Sequence, residues 1–178
     1  MTAHARDGRA TAAGMHRGDR TLPGALEVVG RGVLYRNPLP GHQSVHGYLP
    51  FVVQLSSGEL VCIYRQGSAF YSRDGALAVV RSTDGGATWT DGGLVRDPAA
   101  DPVLYAYTGP FAAALADDSI VLVAIRREQA DARLAVNPLT GAFLPVQTVL
   151  FRSPDGGRTW SEPEQIAIPD GMKLDVSG

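Results

Sequence analysis

The residues of this sequence with the means to do chemistry sit almost entirely in its turns and loops. Asp84 and Asp155 each lie in a copy of one pattern, Ser82-Thr83-Asp84-Gly85-Gly86-Ala87-Thr88-Trp89 and Ser153-Pro154-Asp155-Gly156-Gly157-Arg158-Thr159-Trp160. A loop carboxylate of this kind can ligate calcium, or it can hold a turn by accepting its unpaired N–H groups. An EF-hand calcium loop needs further oxygen ligands at alternate positions, and neither copy supplies them. Neither copy pairs a nucleophile with a base, so both carboxylates read as turn holders. His42 and His46 are four apart but flank Gly and Ser in a Pro/Gly-rich loop, so a metal would need ligands from elsewhere. Tyr105 and Tyr107 precede an apolar run, where aromatic rings could stack on sugars or pack between structural elements. Cys62, the single cysteine, lies in an apolar run and reads as a small buried hydrophobe.

The elements that position these residues are short strands. Asp-Gly-Gly between two apolar runs predicts a tight hairpin turn, because glycine takes positive φ at little cost. Thr88 and Thr159 are expected to open the outgoing strand, with Trp89 and Trp160 packing beneath the hairpin. Both tryptophans of the chain fall in this pattern. A first strand is expected over 26–36, then a Pro-containing loop over 37–42. Strands over 51–55 and 59–66 follow, joined by a turn at 56–58, then a polar loop bearing Ser68, Ser72, Arg73 and Asp74. Strands at 76–81 and 93–96 flank the first Asp-Gly-Gly turn.

A second unit repeats this order with strands at 111–116, 119–126, 147–152 and 165–168. The inner strands are offset by 60 residues (111 − 51) and the Asp-Gly-Gly turns by 71 (155 − 84), so an insertion is expected within 129–145. Four antiparallel strands per repeat of this length are the mark of a β-propeller blade. The fold class is therefore all-β, with two blades built as four-stranded antiparallel meanders. Blade one spans about 48–97 and blade two about 108–169, with a third beginning at 172–178.

Composition narrows the function classes. Net charge is −2, hydrophobic residues make up 44% and charged residues 19%, which fits a globular protein with no basic face for nucleic acid and no anionic-membrane signature. The 21 glycines and 12 prolines favour many turns over long helices. Residues 1–25 read as a disordered leader, without the apolar core of a secretory signal. A cytoplasmic location, no membrane association and no cofactor are expected.

The Ser-x-Asp-Gly-Gly-x-Thr-Trp pattern resembles the Asp box, or BNR repeat, of the sialidase (neuraminidase) superfamily, whose propellers have six blades. The resemblance covers 26–178 and implies an N-terminal part of a longer ring, with about two of six blades present and the remaining blades as partners. Under that topology 26–36 is the closing outer strand of the last blade. The resemblance also implies a glycoside hydrolase in which a Tyr–Glu pair and an Asp acid/base act on a sugar whose carboxylate is clamped by arginines. The family's Arg-Ile-Pro stretch falls here on Tyr48-Leu49-Pro50, so Tyr48 replaces the first clamp arginine. Counting back from Arg81, the acid/base position falls on Tyr71, and the nearest carboxylate is Asp74. Arg65 is placed at the end of the second strand, pointing near a central cavity where an anion could meet it. His46 and Tyr48 lie on the loop leading to that face, in reach of a ligand.

Two readings follow. One is a sialidase-like, exo-acting glycosidase on terminal sugars of a glycan or glycoconjugate, sialic acid among them, with catalytic Asp74 and substrate-binding Arg65, Tyr48 and His46. The other is a non-catalytic propeller that binds glycans or proteins. In both, Ser82, Asp84, Gly86, Thr88, Trp89, Ser153, Asp155, Gly157, Thr159 and Trp160 are structural and no metal is needed.

Overall fold

A computed structural model describes residues 28, 30–37, 44–129, 139 and 146–167. Strands β1 (His46–Gln54), β2 (Leu60–Gly67), β3 (Ala76–Ser82) and β4 (Thr90–Leu94) form one antiparallel sheet in sequence order. After a short 3-10 turn at Pro98–Ala100, β5 (Tyr105–Ala114), β6 (Ile120–Glu128), β7 (Gln147–Ser153) and β8 (Glu164–Gln165) form a second sheet of the same order. The protein is all-β, and each sheet is a four-stranded propeller blade. Among the described residues, no helix is long and apolar enough to cross a membrane.

The repeat holds at the level of individual pairs. Phe51 pairs Ile63 where Phe111 pairs Val123, and Leu60 pairs Ser82 where Ile120 pairs Ser153. Both inner hairpins close the same way: Gly58 N–H donates to Leu55 O with φ 86°, and Asp118 N–H donates to Leu115 O with φ 63°. Aspartate is among the few residues that enter this left-handed region readily, so Asp118 can stand where the first sheet uses glycine.

The inner strands are longer than the sequence suggests. Expected to begin at 51 and 111, they begin at His46 and Tyr105, so Tyr105 and Tyr107 lie within β5 rather than before it. Each strand carries a bulge, between Tyr48 and Phe51 and between Thr108 and Phe111, which absorbs a proline that would otherwise end the ladder. Residues 30–36, expected within a closing strand, carry no strand; Leu34 and Tyr35 instead pack on Cys62, Tyr64, Ala78 and Val80 of the first sheet. Expected outer strands at 93–96 and 165–168 appear at Thr90–Leu94 and Glu164–Gln165, and Ile168 lies outside the described residues. Residues 1–25, His42 and 172–178 also lie outside them.

The core lies between the sheets. Val53, Leu55, Val61, Ile63, Leu77 and Val79 face Ile120, Leu122, Ala124, Val149 and Phe151 across it. Alternate residues of β2 and β3 face opposite ways, and with Leu34, Tyr35 and Trp89 covering the far face both central strands are buried almost throughout. Cys62 is fully buried, and burial pushes its thiol up to about 11. Polar bonds fix the two sheets to each other: Tyr107 N–H donates to Gly75 O at 2.8 Å, and Ser56 N–H to Asp118 Oδ1 at 2.7 Å.

Candidate functional site

In an antiparallel meander the β1–β2 and β3–β4 turns share one end of the blade, and the β2–β3 loop and the crossing to the next blade share the other. The repeated Asp-Gly-Gly turns therefore occupy one end, and Arg65, Asp74 and the start of β1 occupy the other.

At the turn end the two aspartates are fully engaged. Asp84 accepts Ser82 Oγ at 2.8 Å, Thr88 N–H at 2.9 Å and Thr88 Oγ1 at 2.6 Å, while Gly86 N–H donates to Ser82 Oγ at 2.8 Å. Asp155 accepts Ser153 Oγ, Arg158 N–H, Thr159 N–H and Thr159 Oγ1 between 2.6 and 3.0 Å. Gly85, Gly86, Gly156 and Gly157 all have positive φ, between 68° and 90°. Hydrogen bonds from Thr88 and Ser82 pull the Asp84 carboxyl down to about 2. For Asp155, burial pushes upward, but bonds from Thr159, Ser153 and Arg158 outweigh it and hold the carboxyl far below its ordinary range. Thr88, expected to open a strand, ends the turn instead, because its N–H and hydroxyl both bond Asp84; β4 starts two residues later. Trp89 sits under its hairpin, with Nε1 donating to Gly86 O at 3.1 Å.

At the loop end, Tyr48 of β1 pairs Arg65 of β2, and the Arg65 guanidinium lies 5.7 Å from the Tyr48 ring. Arg65 was expected to project toward an open cavity. It is only 1% exposed, and the β2–β3 loop is wound around it. Its Nη1 donates to Ala69 O at 2.7 Å, and its Nη2 to Ser72 O at 3.0 Å and Ser72 Oγ at 3.1 Å. Gly67 and Gly75 pass so close that a Cβ would meet the guanidinium at 2.8 and 2.6 Å. Burial lowers the guanidinium pKa, opposed by the charge of Asp74 and by Tyr48.

Asp74 closes the same loop. Its carboxylate accepts Ser68 N–H at 3.0 and 3.1 Å and Ser68 Oγ at 3.1 Å. Burial pushes its pKa up, but hydrogen bonding from Ser72 and Ser68 prevails and the carboxyl lies below its ordinary value. The group is therefore ionised at neutral pH. His46 joins through its ring, 5.7 Å from that of Tyr48. The structure thus gathers Tyr48, Arg65, Asp74 and His46 around one loop. Among the described residues, no group of three or more His, Cys, Asp or Glu side chains is arranged to hold a metal ion.

Beside this loop lies a pocket of about 230 Å³ between the two blades. Arg65, Phe70, Tyr71 and Ser72 line it from the first sheet, and Tyr107, Thr108, Ile125, Arg127 and Val146 from the second. Its wall is anchored across the blades by Arg73, which donates to Gln129 O at 2.8 Å. A second buttress is the Arg96–Asp101 pair at 2.6 Å, whose Asp101 accepts Tyr107 Oη at 3.2 Å. Sequence reasoning missed Phe70 and Tyr71. Two adjacent aromatics inside an otherwise polar loop were the available signal.

No family model and no curated protein matches the chain. Solved structures do. The Hadza microbial sialidase Hz136 superposes with a TM-score of 0.55 at 25% identity, over 70% of this chain and 26% of its own. A Dyadobacter fermentans protein of unknown function superposes with a TM-score of 0.51 at 25% identity, over 67% of this chain and 36% of its own. The fold is sialidase-like. The chain thus spans about a quarter to a third of these relatives' lengths, and its likeness to them is one of propeller blades.

Proposed function

We propose that this chain belongs to a sialidase-like, carbohydrate-active β-propeller and contributes two blades of its ring, with the glycan site at the loop end. The observation that carries this is the inter-blade pocket beside the loop that holds Arg65 and Asp74, at the end opposite the Asp boxes. Likeness to a sialidase at 25% identity supports the substrate class. In this reading Tyr48, Arg65 and His46 shape the substrate side of the pocket and Asp74 is the acid/base group. The paired Asp boxes brace the opposite end, further blades complete the ring, and the nucleophile comes from them.

One observation favours the second reading, a propeller that binds glycans without cleaving them. A general acid must hold its proton at working pH, which requires a raised carboxyl pKa. Asp74 is lowered and bonded to its own loop. A screen of aryl glycosides, neutral and acidic, against the complete protein tests both readings. Hydrolysis abolished by Asp74→Ala and retained by Ser68→Ala supports the enzyme. Glycan binding without hydrolysis, unchanged by Asp74→Asn, supports the binding protein.

A further inference from the structure

The pocket at the loop end is walled by rings rather than by charges. Phe70 and Tyr71 are 39% and 51% exposed, and they extend an aromatic series. His46 meets Tyr48, Tyr48 meets Phe70 edge-on at 5.3 Å, and Phe70 meets Tyr71 edge-on at 4.7 Å. The far wall is Tyr107, Ile125 and Val146. Sugars with several axial C–H bonds present an apolar face to such rings, while their hydroxyls stay free for polar partners at the rim.

The charges nearby are committed elsewhere. Arg65 directs its Nη atoms at Ala69 O and Ser72, so gripping a carboxylate would require unwinding the loop. Burial of an arginine fork is useful for anion recognition only when the fork faces the ligand. Arg127 also reaches the pocket, but Gln129 accepts its Nη2 at 3.4 Å and accepts Arg73 as well. Asp74, ionised on the same loop, adds a charge that repels anions. Tyr48, the cross-strand partner of Arg65, is uncharged and adds no second cation beside it.

We propose that this pocket binds an uncharged pyranose, its C–H face stacked on one of the two perpendicular rings of Phe70 and Tyr71 and its edge set against the other, in preference to a sugar bearing a carboxylate. The inference rests on the glycan-binding reading above and narrows its ligand class. Arg65 is then a positioning residue, holding the loop that presents the two rings, and Thr108 at the pocket rim meets the sugar hydroxyls.

The test is titration calorimetry on the complete protein with methyl glycosides of galactose, glucose and fucose, set against N-acetylneuraminic acid and glucuronic acid. At least one neutral glycoside should bind about tenfold more tightly than either acid. Phe70→Ala and Tyr71→Ala should each weaken it by roughly fivefold, the scale of one aromatic contact, while the protein still unfolds cooperatively, since both rings are largely exposed. Tighter binding of either acid overturns the neutral-ligand proposal while leaving the glycan reading standing. Neutral binding indifferent to both ring variants overturns the placement. Absence of binding by all five sugars overturns the proposal together with the glycan reading on which it rests.

Discussion

The two blades carry the same repeat and live in different surroundings. Leu55 is 6% exposed and its counterpart Leu115 is 49% exposed; Phe51 is half-buried where Phe111 is 63% exposed. Arg81 donates to Glu59 at 2.7 Å and to Gly156 O at 2.7 Å, whereas among the described residues the Arg152 side chain meets Glu164, at 3.6 Å. The residue types hardly differ. What differs is the neighbour: blade one has its Phe51–Leu55 side covered by blade two, and among the described residues the matching side of blade two is exposed. Blade one is thus completed by blade two, through apolar packing and through Arg81, which caps the carbonyl of Gly156 in the second turn. The loop ends differ in the opposite sense. There the repeat fails, Tyr48 paired with Arg65 becoming Thr108 paired with Ile125, and the pocket forms where the two unlike ends meet.

The largest expected effect comes from the turn glycines. A Cβ on Gly156, at φ 68°, would meet Leu55 Cδ1 at 2.8 Å, while one on Gly85, at φ 70°, meets nothing within 4 Å. Both alanine variants carry the left-handed backbone cost, and only Gly156→Ala adds a clash across the blades. Urea unfolding should show Gly156→Ala losing about 3 kcal/mol and Gly85→Ala about 1 kcal/mol. Equal losses would mean that the second turn is not held under blade one.

Arg81 and Arg152 come next. Arg81→Ala removes two short charge-assisted bonds in a mostly buried setting and should cost roughly 2 kcal/mol by the same measurement. Arg152→Ala removes an exposed ion pair and should cost below about 0.5 kcal/mol. Equal costs would mean that the Arg81 bond across to the second turn contributes nothing to stability.

Much of this contrast was legible in the sequence, and its gaps have physical causes. The turn residues mark both hairpins, and the two offsets align the strand pairings β1–β2 with β5–β6 and β2–β3 with β6–β7, because glycine and aspartate placement is a local matter. The full length of β1 and β5 was not legible, since Pro50 and Pro110 look like strand breakers until a bulge accommodates them. Arg65 was singled out correctly as a residue of the loop end, but its enclosure was not. Its acceptors are the carbonyl of Ala69 and the carbonyl and hydroxyl of Ser72, groups that carry no sequence signature. The bond from Ser56 to Asp118 joins residues of different blades, and no local pattern encodes it.

Acid should separate the two turns. A carboxyl whose folded pKa is lowered contributes stability above its unfolded pKa, and that contribution disappears as pH falls through the folded value. For Asp84 the window runs from the ordinary carboxyl value near 4 down to about 2. For Asp155 it extends lower still, since its carboxyl is held further down. Melting temperature followed from pH 6 to pH 2 should therefore fall in the native chain and flatten in both asparagine variants, more in Asp155→Asn than in Asp84→Asn. Glu59, lowered chiefly by its bond from Arg81, adds to the same acid limb, and Arg81→Ala should remove that part. A steeper acid limb in Asp155→Asn would contradict the account.

The smallest effect concerns the bulge that the blades share. Leu49 holds φ 52° and Gly109, its counterpart, holds φ 59°; both precede a proline. A left-handed leucine costs roughly 1–2 kcal/mol that glycine does not incur, and strain of this kind gathers at working sites. Leu49→Gly relieves it, but glycine also loosens the unfolded chain by about 0.5–1 kcal/mol and gives up the contacts of a side chain that is 42% exposed. The terms nearly cancel, so stability should change by less than about 0.5 kcal/mol, whereas Gly109→Ala should lose about 1 kcal/mol. The informative readout is the loop end. The bulge aims Tyr48 at Arg65 and Phe70, so a Leu49→Gly chain of unchanged stability should show faster amide exchange at Ser68, the N–H that Asp74 holds. Exchange there at the native rate would mean that the strained leucine positions nothing, and that the two bulges differ only by sequence drift.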